Sequence, residues 1–588
     1  MMANFRVWAP RADGVELDLA GRRVPMREAD HGWFEVDVAD AGAGAGGGNS
    51  APCDYAFRLD GSEPLPDPRS PHQPHGVHGP SRLVDHGAFP WTDTGWRGFH
   101  LPAAVLYELH IGTFSPRGSF DGAIAYLDHL VDLGVTAVDV MPVTQFPGSR
   151  NWGYDGVDLY APHHSYGGPE GLKRLVDACH ARGLGVVLDV VYNHLGPEGN
   201  YLERFGPYFT SFYATPWGQA VNYDQPGSDE VRRFVIDNAV GWLRDYHIDG
   251  LRLDAVHAIV DTSATHVLEQ LAAEVAELSA TLARPLWLIA ESDLNDPCVV
   301  RGRDCGGYGI HAQWRDDFHH ALHSVLTGEG DGYYQDFGTL ADLATALESA
   351  WVYAGRWSPT RDRTHGRSPA GLPGRCFLGY LQNHDQVGNR AVGNRVSDSL
   401  TPGRAKVGVA LYLCAPFIPM VFQGEEWSAS TPFQYFTSHE DRELGRLVRQ
   451  GRRSEFAAFG WTAEQVPDPQ EQATFDRSRL DWGELTRDGH RDMLAWYRDL
   501  IALRRRVPGL GDGRLDRVRV RYDEQGRWLV VERGELRVAA NLGAAEQKVD
   551  LGEDAGTGVL LAYDERISIE AGTATLPPDT VVICGPPA

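Results

Sequence analysis

Ile248-Asp249-Gly250-Leu251-Arg252-Leu253-Asp254 and Pro285-Leu286-Trp287-Leu288-Ile289-Ala290-Glu291 are two short, mostly apolar runs, and each ends in a carboxylate. Their length and aliphatic content read as parallel strands buried on both faces. A third run, Phe377-Leu378-Gly379-Tyr380-Leu381-Gln382-Asn383-His384, leads directly to Asp385. Parallel strands end on the same side of a sheet, and in a (β/α) barrel that side carries the active site. Asp254, Glu291 and Asp385 are therefore expected to share one loop face.

Outward from these runs the chain alternates strand, loop and helix. Residues 105–111 are strand-like, 121–133 form an amphipathic helix ended by Gly134, and 135–143 make the next strand. A helix over 169–182 with Gly183 behind it precedes a strand over 184–191. Glycine at both helix ends suits a left-handed cap. Further helices over 229–246, 262–282, 317–326 and 404–413 interleave with strands over 249–254, 286–291, 312–315 and 417–423. Eight strands alternating with helices predict an α/β fold, a (β/α)8 TIM barrel. A doubly wound sheet is the competing arrangement, but no G-x-G-x-x-G or Walker loop follows the first strand.

Short strands over 4–8, 14–18, 33–38 and 55–59, separated by turn residues, predict an N-terminal β-sandwich. The Ala/Gly run 41–50 reads as a hairpin loop and Pro-rich 64–80 as an ordered linker. Residues 338–375 read as an irregular excursion of the barrel. Strand-like runs at 517–522, 528–533, 536–541, 559–563 and 580–584 predict a C-terminal all-β domain. The expected domains are 1–95 (sandwich, like a carbohydrate-binding module), 96–510 (barrel with excursions) and 511–588 (C-terminal β-sandwich).

With 588 residues the chain exceeds one ordinary core, and 42% hydrophobic content is that of a folded protein. A formal charge of −26 argues against nucleic acid or an anionic membrane as a partner. The seven cysteines are scattered, with no C-x-x-C pair, so neither a zinc site nor a disulfide framework is indicated. No basic leader followed by an apolar run opens the chain, and no segment reaches the ~18 apolar residues of a membrane span. A reducing cytoplasm is the expected compartment.

Cleavage of a glycosidic bond with retention needs two carboxyl groups, a nucleophile and a proton donor held protonated by burial or a negative neighbour. Arg252 lies two residues before Asp254, so both side chains leave the strand on one side. A guanidinium there would orient Asp254 and favour its ionised form. Asn193 and His194 end the preceding strand, His384 adjoins Asp385, and Trp152-Gly153-Tyr154-Asp155 follows the second strand. Singly, such residues are ordinarily helix caps, ion pairs or packing. Their recurrence at successive strand ends favours catalysis.

These segments resemble the four signature regions of the α-amylase family of glycoside hydrolases: 189–194, 250–257, 289–293 and 381–389, within a likeness spanning about 106–427. The resemblance implies Asp254 as nucleophile, Glu291 as general acid/base and Asp385 as transition-state stabiliser. Tyr154, His194, Arg252 and His384 would surround the glucose whose bond breaks. His257, Asp316, His319, Gln386 and Asn389 would bind sugar hydroxyls. The N-terminal Phe5-Arg6-Val7-Trp8-Ala9-Pro10 is similar to that of branching, debranching and trehalose-releasing members. The stretches 291–297, 313–320 and 424–433, with 449–461, look like the trehalose-releasing members in particular. That likeness implies hydrolysis of the α-1,4 bond next to the terminal trehalose of a maltooligosyl trehalose, and leaves room for functional pairing with a maltooligosyl trehalose synthase. A branching or debranching enzyme, or a non-catalytic glucan-binding relative, are the alternatives. No cofactor is expected. Family members often bind calcium near the position of Asn193, but a single amide is a weak ligand set and no metal is expected. Trp152, Trp217 and Trp314 are candidate sugar-stacking rings, and the run 313–320 also reads as a helix start capped by Asp.

Overall fold

The computed structural model describes residues 2–39, 53–457, 461–552 and 558–586. The run 41–50 lies outside these residues.

Eight parallel strands close into a barrel in chain order: β1 (Leu106–Leu109), β2 (Ala137–Val140), β3 (Gly185–Val190), β4 (Gly250–Leu253), β5 (Trp287–Ala290), β6 (Ala312–Trp314), β7 (Phe377–Gly379) and β8 (Ile418–Phe422), which returns to β1. The alternation of side chains along each strand sorts the interior into layers. Leu106, Ala137, Val187, Ile289, Ala312, Leu378 and Ile418 belong to one buried apolar cluster. Two residues further along the first strands stand Glu108, Asp139, Asp189 and Arg252, all buried. Register aligns Glu108 with Asp139, and Asp189 with Arg252, so each pair points the same way from adjacent strands. One more step of two reaches Asp254 and Glu291. The barrel is thus oily at its floor and charged above it.

The other strand faces (Val138, Val140, Val186, Leu188, Leu251, Leu253, Leu288) pack in the main hydrophobic cluster with the surrounding helices. These are α1 (Leu127–Leu133), α2 (Gly168–His180), α3 (Ser228–Asp245), α4 (Val267–Leu282), α5 (Asp316–Thr327), α6 (Pro402–Leu413) and α7 (Asp488–Arg506). Strict alternation fails once, because the β5–β6 connection contains no α-helix. The helix expected over 121–133 is broken in two, Phe120–Ile124 and α1; Tyr126 between them leaves helical angles, its ring stacked on Trp482 at 4.0 Å. α4 starts five residues later than expected, since Asp261 accepts the N–H groups of Ser263 and Val267 and holds the preceding loop. The expected Asp cap of α5 is absent. Its N-cap is Arg315 without a side-chain bond, and Asp317 instead accepts the N–H groups of Val352 and Tyr353 at 2.7 and 2.8 Å.

The excursion 338–375 is more regular than expected. It holds a helix, Leu340–Ser349, started by a reciprocal Thr339–Asp342 capping box, and a hairpin of Arg356–Ser358 with Arg363–His365. A second hairpin, Phe209–Thr215 with Gly218–Val221, rises from the β3–α3 connection. N-terminal strands form one three-stranded and one four-stranded sheet, and the C-terminal region forms a five-stranded and a three-stranded sheet. Arg504 of α7 donates to the carbonyls of Leu413, Ala415 and Phe417 at the end of α6, and Arg533 of the C-terminal sheet donates to Cys414 and Leu510. All seven cysteines are free thiols. Among the described residues no helix is long and apolar enough to cross a membrane.

Gly134 caps α1 at φ 95°, its N–H given to Leu130 and Val131, and a Cβ there would stand 2.8 Å from the Ile501 side chain of α7. Gly134→Ala combines a left-handed alanine with that collision and should cost about 1–3 kcal/mol. A urea midpoint equal to that of the parent would contradict this reading.

Candidate active site

Arg252 is the centre of the loop-face cluster. Its fully buried guanidinium lies over the Trp314 ring at 4.3 Å. Nη1 donates to both Asp189 oxygens at 2.9 and 2.8 Å and to Asp254 Oδ1 at 2.7 Å, while Nη2 faces Glu291 Oε2 at 3.5 Å. One cation therefore holds three carboxylates. The two-residue spacing of Arg252 and Asp254 works as the strand period requires.

Asp254 is held at its other oxygen by the Asn193 amide at 2.7 Å, which also donates to the Asp254 carbonyl. That amide is thereby occupied. Glu291 Oε2 accepts the backbone N–H of Ala255 at 2.6 Å. Ala255 stands at φ 38°, ψ 50°, a left-handed conformation unusual for alanine, and this turn points its N–H at the acid. Burial, countered by Arg252 but reinforced by the negative charges of Asp254, Asp385 and Asp316, pushes Glu291 up to about 8. A carboxyl group that keeps its proton at neutral pH can act as an acid.

Asp385 lies in the short helix His384–Gly388, which Asn383 caps by accepting the N–H groups of Asp385 and Gln386. It is partly exposed, 3.4 Å from His384 Nε2 and 3.3 Å from the Asn389 amide. Its charge acts on Glu291. Tyr154 joins the two halves: its hydroxyl donates to Asp189 at 2.7 Å, meets His384 Nε2 at 2.9 Å, and its ring stacks on His384.

The remaining expected residues divide. Asp316 accepts from Tyr380 at 2.7 Å and Gln386 at 3.3 Å, and burial pushes it up to about 6. His194 bonds the Tyr154 carbonyl and stacks on Trp217, while burial lowers its pKa. His257 is exposed, 4.0 Å from Asp293, and Asn389 is exposed beside Arg452. His319 is 1% exposed, one turn along the same helix face from Asp316, and its ring nitrogens meet Leu381 O and Tyr334 Oη. Trp152 and Trp314 are likewise buried, under Phe433 and Arg252, which leaves Trp217, 48% exposed, as the accessible ring of the three.

Glu108, Asp139 and Asp189 had no assigned role in the sequence reading. Their signal was an ionisable residue inside a strand buried on both faces, which requires a partner. Among the described residues one His/carboxylate group, His78, Glu198 and Glu440, has ligand atoms close enough for a cation, and it shares no residue with this cluster.

The family described as the alpha amylase catalytic domain matches residues 88–217, and a domain family of unknown function matches 513–583. The chain is 51% identical over 580 residues to a malto-oligosyltrehalose trehalohydrolase of Arthrobacter ramosus, covering 98% of both chains. A protein of that name from Mycobacterium tuberculosis is 51% identical over 92% of this chain and 93% of its own length. The crystal structure of a candidate alpha amylase from Salmonella typhimurium superposes with a TM-score of 0.90 at 40% identity, over 99% of this chain and 98% of that one.

If Glu291 must be protonated to act, kcat/KM falls as pH rises through about 8. Asp316→Asn removes one of the charges that raise Glu291, so the alkaline limb should move to lower pH. A limb that stays in place in a pH–rate series would exclude Asp316 from that field.

Proposed function

The chain belongs to the malto-oligosyltrehalose trehalohydrolase family of α-amylase-type glycoside hydrolases, and we propose that it releases trehalose by hydrolysing the α-1,4-glucosidic bond next to the terminal trehalose unit of a maltooligosyl trehalose. The observation that carries this reading is the single guanidinium of Arg252 set between Asp254 and Glu291.

Glu291 gives its proton to the glycosidic oxygen while an oxygen of Asp254 attacks the anomeric carbon. The carbon–oxygen bond to trehalose breaks as the bond to Asp254 forms. Glu291, now a carboxylate, takes a proton from water, whose oxygen attacks the same carbon and returns Asp254 as a carboxylate. Two inversions retain the configuration. Asp385 stabilises the oxocarbenium-like transition state from the far side of the cluster. Tyr154, His194, Arg252 and His384 enclose the reacting glucose, and His257, Asp316, Gln386 and Asn389 line its approaches. Trp217 offers a face for sugar stacking.

Work on a trehalosyl glucan fits trehalose biosynthesis in a cytoplasm, in functional pairing with a maltooligosyl trehalose synthase that supplies the substrate. The charge of −26 supports a neutral sugar and disfavours nucleic acid or an anionic membrane surface as ligand.

Purified protein incubated with maltotriosyl trehalose should yield free trehalose and maltotriose. New branch points on amylose, with no trehalose released, would replace this reading with that of a branching enzyme. Asp254→Ala should lose at least about 10⁴-fold in kcat, with an unchanged circular dichroism spectrum; full turnover in that variant would remove Asp254 as nucleophile.

A further inference from the structure

The protons around His384 can be counted. The residue is 1% exposed and its neighbour Glu108, on β1, is 2% exposed. His384 Nδ1 lies 2.6 Å from Glu108 Oε1, and the His384 backbone N–H donates to Glu108 Oε2 at 2.9 Å. An ionised carboxylate only accepts, so Nδ1 carries a proton. At the second nitrogen stand Tyr154 Oη at 2.9 Å and Asp385 Oδ1 at 3.4 Å. Tyr154 has one hydroxyl proton, and it goes to Asp189 at 2.7 Å, a carboxylate already gripped by Arg252. Both groups therefore face Nε2 as acceptors, and Nε2 must donate as well. An imidazole donating from both nitrogens is a cation.

We propose that Glu108 is a positioning residue, whose buried carboxylate grips the ring and backbone of His384 together and holds it as a doubly donating imidazolium beside Asp385. This rests on the reading of Asp385 and His384 as parts of the glucose-binding cluster. The charged and titratable groups facing His384 are Glu108, Asp385, Asp189, Asp139, Arg252, Tyr154 and His110. Burial opposes its charge, yet Asp385 and Glu108 outweigh burial and Arg252 and lift it to about 9. Replacing Glu108 by glutamine removes the anion and leaves one amide oxygen for two donors. The imidazole then loses its second proton at a lower pH than Glu291 loses its own.

Two measurements test this. Histidine-labelled wild-type protein, with the signal assigned by comparison with His384→Gln, should show two ring N–H groups on His384 by NMR at pH 7.5. In Glu108→Gln it should show one. In kinetics, Glu108→Gln should lower kcat on the order of tenfold and move the alkaline limb of kcat/KM at least one unit toward neutral, while Glu108→Asp, which keeps the charge, brings the limb back toward the wild-type position. A single protonated nitrogen on wild-type His384 overturns the proposal, whether or not any variant folds. So does a Glu108→Gln enzyme with the wild-type limb. Wild-type protein that released no trehalose would remove the proposed function, while the NMR result would still decide the role of Glu108.

Discussion

The site depends on one buried cation. Taking a guanidinium out of water costs several kcal/mol, and Arg252 recovers this through Asp189, Asp254 and the face of Trp314. The same contacts give neighbouring carboxylates different surroundings. Asp254 has a direct charge-assisted bond from Arg252 and a second from Asn193. Glu291 has only a distant edge of the guanidinium and one backbone N–H. Of the two acids within reach of one cation, Glu291, the less firmly held, is the one pushed up to about 8, as a proton donor needs. Losing Arg252 would leave uncompensated negative charge at the barrel mouth, so this interaction supports fold and reactivity together.

The barrel makes such an arrangement affordable by its layering. Apolar side chains at the floor supply burial, and the charged residues occupy the next layer, where alternation along each strand returns them to the interior. Among the described residues Asp139 in that layer has no hydrogen-bond partner, and burial, with the charges of Asp189 and Glu108, raises its pKa well above the ordinary carboxylate range.

Much of this was legible because strand period and strand order are simple rules. Runs such as 248–254 announced both the barrel and the side on which Arg252 and Asp254 emerge. Family likeness then named roles that no spacing argument supplies. What stayed hidden depended on contacts between segments far apart in the chain. Glu108 meets His384 across 276 residues, and no local pattern marks that meeting. The surroundings of His319 are of the same kind: its ring meets Tyr334 and the Leu381 carbonyl, 15 and 62 residues away. The break before α1 follows from Tyr126 stacking on Trp482, a contact of the same long-range kind.

Ala255 adds a consequence for anyone who would engineer this chain. Its left-handed backbone carries a penalty of about 1–2 kcal/mol, and glycine would relieve it. Thermostability screens would therefore tend to favour that replacement. Yet the twist aims an amide proton at Glu291, and a more pliable residue would let that donor wander. Hardening the scaffold at this position and keeping the chemistry in tune are competing goals.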